Sequence, residues 1–377
     1  MDADKIYFDI SATTPIDPRV INAMLEADKS LFGNPSSIHS FGQSSRVQIE
    51  LSRQKIASAL NCSRKEIIFT SGGSEANNQV LKNLLSSGDH IITSSYEHPS
   101  IIQTLESIDD IKITYLTPNK NGTIDPALIE NEIKDNTKLI SIMWANNELG
   151  TINDICKISK IALKHGLQFH TDAVQAFGKV PINLSATNIN YMSITAHKIY
   201  GPKGVGALYI KDKSSISPLI HGGGQEQNIR SGTENTSSII GFGIASDIAC
   251  SNYEKYQSHT LRLEKELIAG LNRLSVRYKI NGENRLPGVF SICFPGASGS
   301  ELLMNLDING IAISYGSACS SGSLKPSETL IKCGIDSSIA KSSVRISFGR
   351  LNTSAEINRF TKEVKKYVDN MKESLDE

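Results

Sequence analysis

From residue 66 to residue 194, short apolar segments alternate with amphipathic helical ones, and this alternation restricts the chain to few architectures. Segments 66–69, 90–93, 111–116, 139–143, 168–170 and 190–194 read as strands. Between them, 74–85, 99–105, 125–134 and 154–165 read as helices. In the first of these, Ala76, Val80, Leu81, Leu84 and Leu85 recur near helical spacing. Strands joined through helices over short connections form a mostly parallel sheet covered on both faces. Right-handed crossovers in such a sheet bring reactive side chains to the carboxyl ends of the strands. The expected class is α/β.

The character changes near Ile240. Segment 252–274 is long and charged, with helical period carried by Leu261, Leu263, Leu267, Leu271 and Leu274, and reads as a bridge to a second unit. That unit has strands near Phe290 and Ile311 and at 343–347. Its helices fall near Glu301 and Glu328, with a last one from 354 to about 371. Ile6-Tyr7-Phe8 has no helix beside it and is expected to join the same unit. A chain of 377 residues exceeds what one compact core usually holds.

Lys plus Arg and Asp plus Glu each number 39, so the formal net charge is zero. That balance argues against a dedicated nucleic-acid or membrane-surface binder. No apolar run approaches the roughly 20 residues of a spanning helix. Met1 to Lys5 shows no signal pattern, so the expected setting is cytoplasmic. The cysteines at 62, 156, 250, 293, 319 and 333 include no Cys-x-x-Cys and no zinc spacing, so no metal site is expected. They read as free thiols, and Cys62, Cys156 and Cys250, in helical or helix-end patterns, as small buried hydrophobes.

Three motifs carry chemistry. Thr70-Ser71-Gly72-Gly73-Ser74-Glu75 follows a strand and opens a helix, where free backbone N–H groups form an anion site. Ser74 suits an N-cap. By itself this is an ordinary helix start. His170-Thr171-Asp172-Ala173-Val174-Gln175 delivers an Asp at a strand end, able to hold a protonated heterocyclic nitrogen or simply to cap a helix. Thr195-Ala196-His197-Lys198-Ile199-Tyr200-Gly201-Pro202-Lys203-Gly204 places a lysine beside an imidazole at another strand end, a candidate imine-forming amine. A phosphate cradle, then an Asp, then a Lys, in that order, is what pyridoxal phosphate requires.

These motifs, with others in register, give the chain a resemblance to the NifS/IscS-type cysteine desulfurases. That family is a class-V aminotransferase branch of the fold-type I pyridoxal-phosphate transferases. The likeness runs from Asp9-Ile10-Ser11-Ala12-Thr13-Thr14-Pro15 and Phe32-Gly33-Asn34-Pro35-Ser36-Ser37 through Glu97-His98 and Asn146-Asn147-Glu148-Leu149-Gly150. It continues through Arg230-Ser231-Gly232-Thr233-Glu234-Asn235 and Gly316-Ser317-Ala318-Cys319 to Arg345-Ile346-Ser347-Phe348-Gly349-Arg350. It implies a large domain, 14–255, with a mostly parallel seven-stranded sheet between helices. It also implies a smaller α/β domain of residues 1–13 and 256–377, carrying a mobile Cys319 loop.

The resemblance implies roles as well. Lys198 carries the cofactor, Asp172 pairs with its ring N–H, and Gln175 hydrogen-bonds its phenolic oxygen. His98 stacks on the ring and moves protons; the plain alternative for it is a core or capping histidine. Gly73, Ser74, Thr195 and His197 hold the phosphate, and Thr233 reaches it from the neighbouring subunit of a homodimer. Asn147 and Arg345 hold the substrate carboxylate, with Arg345 preferred over Arg350 on the resemblance alone, and Asn34 lines the same pocket.

The small polar residues around Cys319 fit a loop rather than a core segment. The implied reaction turns L-cysteine into L-alanine and leaves a persulfide on Cys319 for a sulfur-acceptor protein. That acceptor is an iron–sulfur scaffold, a tRNA thiolation enzyme or a DNA phosphorothioation system. The alternative is a selenocysteine lyase or another lyase or aminotransferase on the same fold, which would not need Cys319. A non-catalytic assembly partner ranks last, because Lys198, Asp172 and Cys319 are all present. Ser74 stands where many relatives have Thr, and Tyr315 where many have Ser. The short C-terminal tail leaves scaffold docking by that route in doubt.

Overall fold

The computed structural model describes residues 5–316 and 325–376. Its strands are β1 (Ile6–Tyr7), β2 (Ile67–Thr70), β3 (His90–Ser94), β4 (Lys112–Leu116), β5 (Thr137–Ser141) and β6 (Gln168–Asp172). There follow β7 (Tyr191–Thr195), β8 (Gly206–Ile210), β9 (Lys279–Asn281), β10 (Val289–Cys293), β11 (Ile311–Ala312) and β12 (Ser343–Ser347). A seven-stranded sheet runs in the order β2-β8-β7-β6-β5-β3-β4. β8 is antiparallel to both neighbours, and the other pairings are parallel.

Both faces of this sheet are covered. On β2, Ile67 and Phe69 join one core and Ile68 another; on β8, Ala207 and Tyr209 part from Leu208 and Ile210 in the same way. β2, β3, β7 and β8 bury every residue, so their sequences do not alternate apolar with polar. Aspartates cap several helices, and Asp17-Pro18 and Asp125-Pro126 pair a capping side chain with a proline at the first helical position. Helix Pro126–Asn131 is shorter than expected, because Lys134 N is taken by Thr137 Oγ1. The helix after the Gly-Gly turn begins at Gly73, with Gly72 at the cap, so Ser74 is not the N-cap and its hydroxyl is left for other partners.

A second core lies around the antiparallel sheet β12-β10-β9 and the parallel pair β1-β11. The N-terminal strand thus pairs with residues 311–312, as expected of it. Phe8 packs with Phe348 at 5.5 Å and Phe360 at 5.6 Å between ring centroids, and Phe290 meets Phe348 at 5.9 Å. Helices Tyr253–Arg273 and Ser354–Asp376 close this core with Leu263, Leu267, Leu271, Ile357 and Val364. Two prominent helices have weak sequence signatures. Thr236–Ser251 is buried nearly all round and shows no polar face, and Ser40–Leu60 packs beside it. Cys156 corrects the cysteine expectation. It is exposed, because the inward stripe of helix Ile155–Lys164 is Ile155, Ile158 and Ala162, one position out of step.

A buried ion pair fixes the approach to the Gly-Gly turn. Arg53 forks onto Glu226 with both contacts at 2.7 Å, and Phe69 N donates to the same carboxylate at 2.7 Å. Glu226 lies in left-handed backbone at φ 45°, a conformation held by these contacts. Glu226→Ala strips the partners from a buried guanidinium and a buried N–H. The expected loss is about 3–5 kcal/mol, read as a lower denaturant midpoint; an unchanged midpoint would remove the clamp from the account.

Candidate active site

The carboxyl ends of β6 and β7, the start of helix Gly73–Leu84 and residues 11–12 converge on a cleft of about 760 Å³. Lys198 follows β7 in a single helical turn, and its Nζ donates to Ser11 O at 2.5 Å and Ala12 O at 2.6 Å. Asp172 ends β6. Its carboxyl accepts from Val174 N at 2.9 Å and from Asn77 Nδ2 at 2.8 Å, which aims it into the cleft. Gln175 Nε2 donates to Ser11 O at 2.8 Å. Gly73 is closely packed: a Cβ there would lie 2.6 Å from Val174 Cγ2, which would have to move. Thr195 Oγ1 donates to Val205 O at 3.1 Å, and His197 Nδ1 lies 3.2 Å from Thr13 Oγ1. Burial, then the charges of Lys198, Lys203 and Lys179, lower the His197 pKa to about 4, so its imidazole is neutral near pH 7.

His98 both caps and lines. Its Nδ1 accepts from Ser100 N at 3.1 Å at the start of helix Pro99–Glu106, and the residue also borders the cleft. On the far wall Arg345, on β12, is buried. Its Nη2 donates to Asp9 Oδ1 at 2.6 Å and Ser314 Oγ at 2.9 Å, and Nη1 to Asn147 O at 3.1 Å. Arg345 Nε has no partner among the described residues. Arg350 is directed elsewhere: it stacks on Tyr200 at 4.0 Å and pairs with Asp17 at 2.7 Å.

Behind the cleft, Glu97 Oε1 accepts from Ser94 Oγ at 2.5 Å and Met143 N at 2.8 Å. Burial drives its pKa from 4.5 to about 8, against those two hydrogen bonds and with Asp172 adding to the rise. The raised folded-state value means this group's stabilising contribution is complete below about pH 4.5 and is lost as pH climbs through about 8. Glu97→Gln is expected to flatten that loss, which is on the order of a few kcal/mol. Denaturant midpoints taken from about pH 5 to about pH 9 check it; a variant whose midpoint falls as steeply as the parent's would refute it.

Of the residues anticipated from sequence, the cleft gathers Gly73, Ser74, His98, Asn147, Asp172, Gln175, Thr195, His197, Lys198 and Arg345. Asn34 is exposed, its side chain accepting from Ser36 N at 2.9 Å, and does not line the cleft. Thr233 is exposed and also lies outside it. Cys319 falls in 317–324, outside the described residues. Sequence reasoning missed Asn77 and Asp9, which hold Asp172 and Arg345. Asn77 had a usable signal: a polar residue between Ala76 and Val80, one turn into the helix that opens on the Gly-Gly turn. The donor set fits pyridoxal phosphate. Helix N–H groups and the Ser74 hydroxyl suit a phosphate, Asp172 a protonated ring nitrogen, and Lys198 an aldehyde. Ser11 Oγ and Asn77 Oδ1, both buried and without partners among the described residues, add polar groups at the same cleft.

A family model, aminotransferase class-V, matches residues 6–360. The chain is 42% identical over 362 residues to the cysteine desulfurase IscS of Dictyoglomus turgidum, covering 94% of this chain and 92% of that one. A NifS-like protein of known structure superposes with a TM-score of 0.90 at 35% identity, covering 97% of this chain and 99% of the other. SspA, solved in complex with cysteine, gives 0.81 at 37% identity over 91% of this chain and 98% of its own. Matched in sequence and fold along nearly its whole length, the chain belongs to the class-V aminotransferase family, alongside IscS and the NifS-like proteins.

Proposed function

We infer that this chain is a pyridoxal-phosphate-dependent cysteine desulfurase. The observation that carries the reading is the meeting of Lys198, Asp172 and the Gly73-Ser74 helix start in one cleft, with Arg345 on the opposite wall. When bound, the cofactor supplies an electron sink that labilises bonds at the substrate's α- and β-carbons. Lys198 would hold it through its amine. Asp172, steadied by Asn77, keeps the ring nitrogen protonated. Arg345, with Asn147, holds the substrate carboxylate, and His98 and Lys198 move protons at the α-carbon. The Cys319 thiolate then takes the sulfur: its S–S bond forms as the Cβ–S bond of L-cysteine breaks, and L-alanine leaves after protonation. The persulfide passes to an acceptor protein.

The same reading carries a homodimer, with exposed Thr233 completing the neighbour's phosphate site. It also carries a cytoplasmic setting that keeps thiols reduced, and a division into a large unit of 14–255 and a small unit of 1–13 and 256–377. Among the described residues no helix is long and apolar enough to cross a membrane. The test is direct: purified protein supplied with L-cysteine and a thiol reductant releases alanine and sulfide in equal amounts. Turnover of selenocysteine alone would select the lyase alternative.

A further inference from the structure

Lys179 follows Gln175 by four positions, and its Nζ donates to Gln175 Oε1 at 2.9 Å. The other end of that amide donates from Nε2 to Ser11 O at 2.8 Å, the same carbonyl that accepts from Lys198 Nζ. A carbonyl only accepts, so Ser11 O requires Nε2 at its end of the amide, which leaves Oε1 to accept from Lys179.

Lys179 reaches this position from behind the cleft. With Lys198 it also lines a second cavity, faced by Tyr253, Tyr256, Thr260 and Arg350. Burial, then the charges of Lys198 and Arg345, lower its pKa to about 7. A lysine held at that cost, in contact with a residue of the site, is more than a surface charge.

We propose that Lys179 is a positioning residue: it holds the Gln175 amide with Nε2 turned to the cleft and so sets the donor that Gln175 presents to the cofactor's phenolic oxygen. The inference rests on the assigned role of Gln175. Without Lys179, one end of the amide is released. A flipped amide would present an oxygen to an anionic oxygen, and the deprotonated chromophore would lose its stabilising donor.

The test uses the full-length protein loaded with pyridoxal phosphate and follows the visible band of the Lys198-bound cofactor against pH. Lys179→Met, or Lys179→Ala if the methionine variant does not fold, is expected to raise the titration midpoint by about one pH unit, a tenfold change in proton affinity. Gln175→Ala is expected to move it the same way. The double variant is expected to move it no further than Gln175→Ala alone, because Lys179 acts through the amide. Additive shifts would mean a through-space effect of charge and would overturn the proposal. A shift in Gln175→Ala with none in the Lys179 variant would overturn it while leaving Gln175 its role. No shift in either would remove the Gln175 contact itself, and the proposal with it.

Discussion

Lys198→Ala is expected to give a folded protein that no longer retains pyridoxal phosphate through dialysis and that has lost cysteine turnover by at least about 10⁴-fold. The geometry separates the chemical from the structural consequence. On the proposed reading the Lys198 amine is the nucleophile, and among the described residues no other lysine lines the cleft. Its removal does free Ser11 O and Ala12 O, to which Nζ donates. The N-terminal segment nevertheless stays tied to the same turn: Thr14 N and Thr14 Oγ1 both donate to His197 O at 2.9 Å, and Tyr200 N donates to Thr14 Oγ1 at 2.8 Å. Stability should therefore fall little while the visible band disappears. Retained colour after dialysis, or turnover within about tenfold of the parent, would show that Lys198 is not the anchoring amine.

Cys319→Ser is expected to divide the reaction. The variant keeps the cleft, binds cofactor with the parent's visible spectrum, and still changes that spectrum on adding L-cysteine. Sulfide release falls on the order of 10⁴-fold, the scale of losing a nucleophile. The reason is chemical: a serine hydroxyl is a poor acceptor for a sulfur atom, whereas a thiolate forms an S–S bond readily. Both neighbours of the Cys319 segment are anchored near the cleft. Ser314 exchanges backbone hydrogen bonds with Arg345 at 2.7 and 3.0 Å, and on the far side Ser327 Oγ and Thr329 Oγ1 both donate to Glu148 at 2.6 Å. Undiminished sulfide release by the serine variant would point to direct elimination of sulfide, and the persulfide would have no part in the reaction.

The architecture was legible where burial is two-sided. β3, β4, β6 and β7 fall within a few residues of the apolar segments read as strands, because each is a short run bounded by turn residues. Helix Thr236–Ser251 was not legible: a helix packed all round has no face to reveal its period. The site shows the same split. Asp172 ends a strand, and Lys198 and Gly73 come within three residues of one, so local order in sequence announces them. Asn77 and Asp9 act through partners 95 and 336 positions away, contacts that no window of residues contains. Arg345 could be preferred to Arg350 only by resemblance; the fold supplies a reason, because Arg350 is occupied by Tyr200 and Asp17.

The reversed strand β8 has a consequence for synthesis of the chain. β2 lies at the sheet edge and pairs with β8 alone, Thr70 opposite Gly206. Gly206 is packed so tightly that a Cβ there would lie 2.7 Å from Gly72 Cα. A nascent polypeptide that has not yet emerged through Ile210 therefore lacks the strand that pairs with β2 and packs against Gly72. On the proposed role of Gly73 and Ser74, the phosphate site is complete only once β8 has emerged, more than half-way through synthesis of the chain.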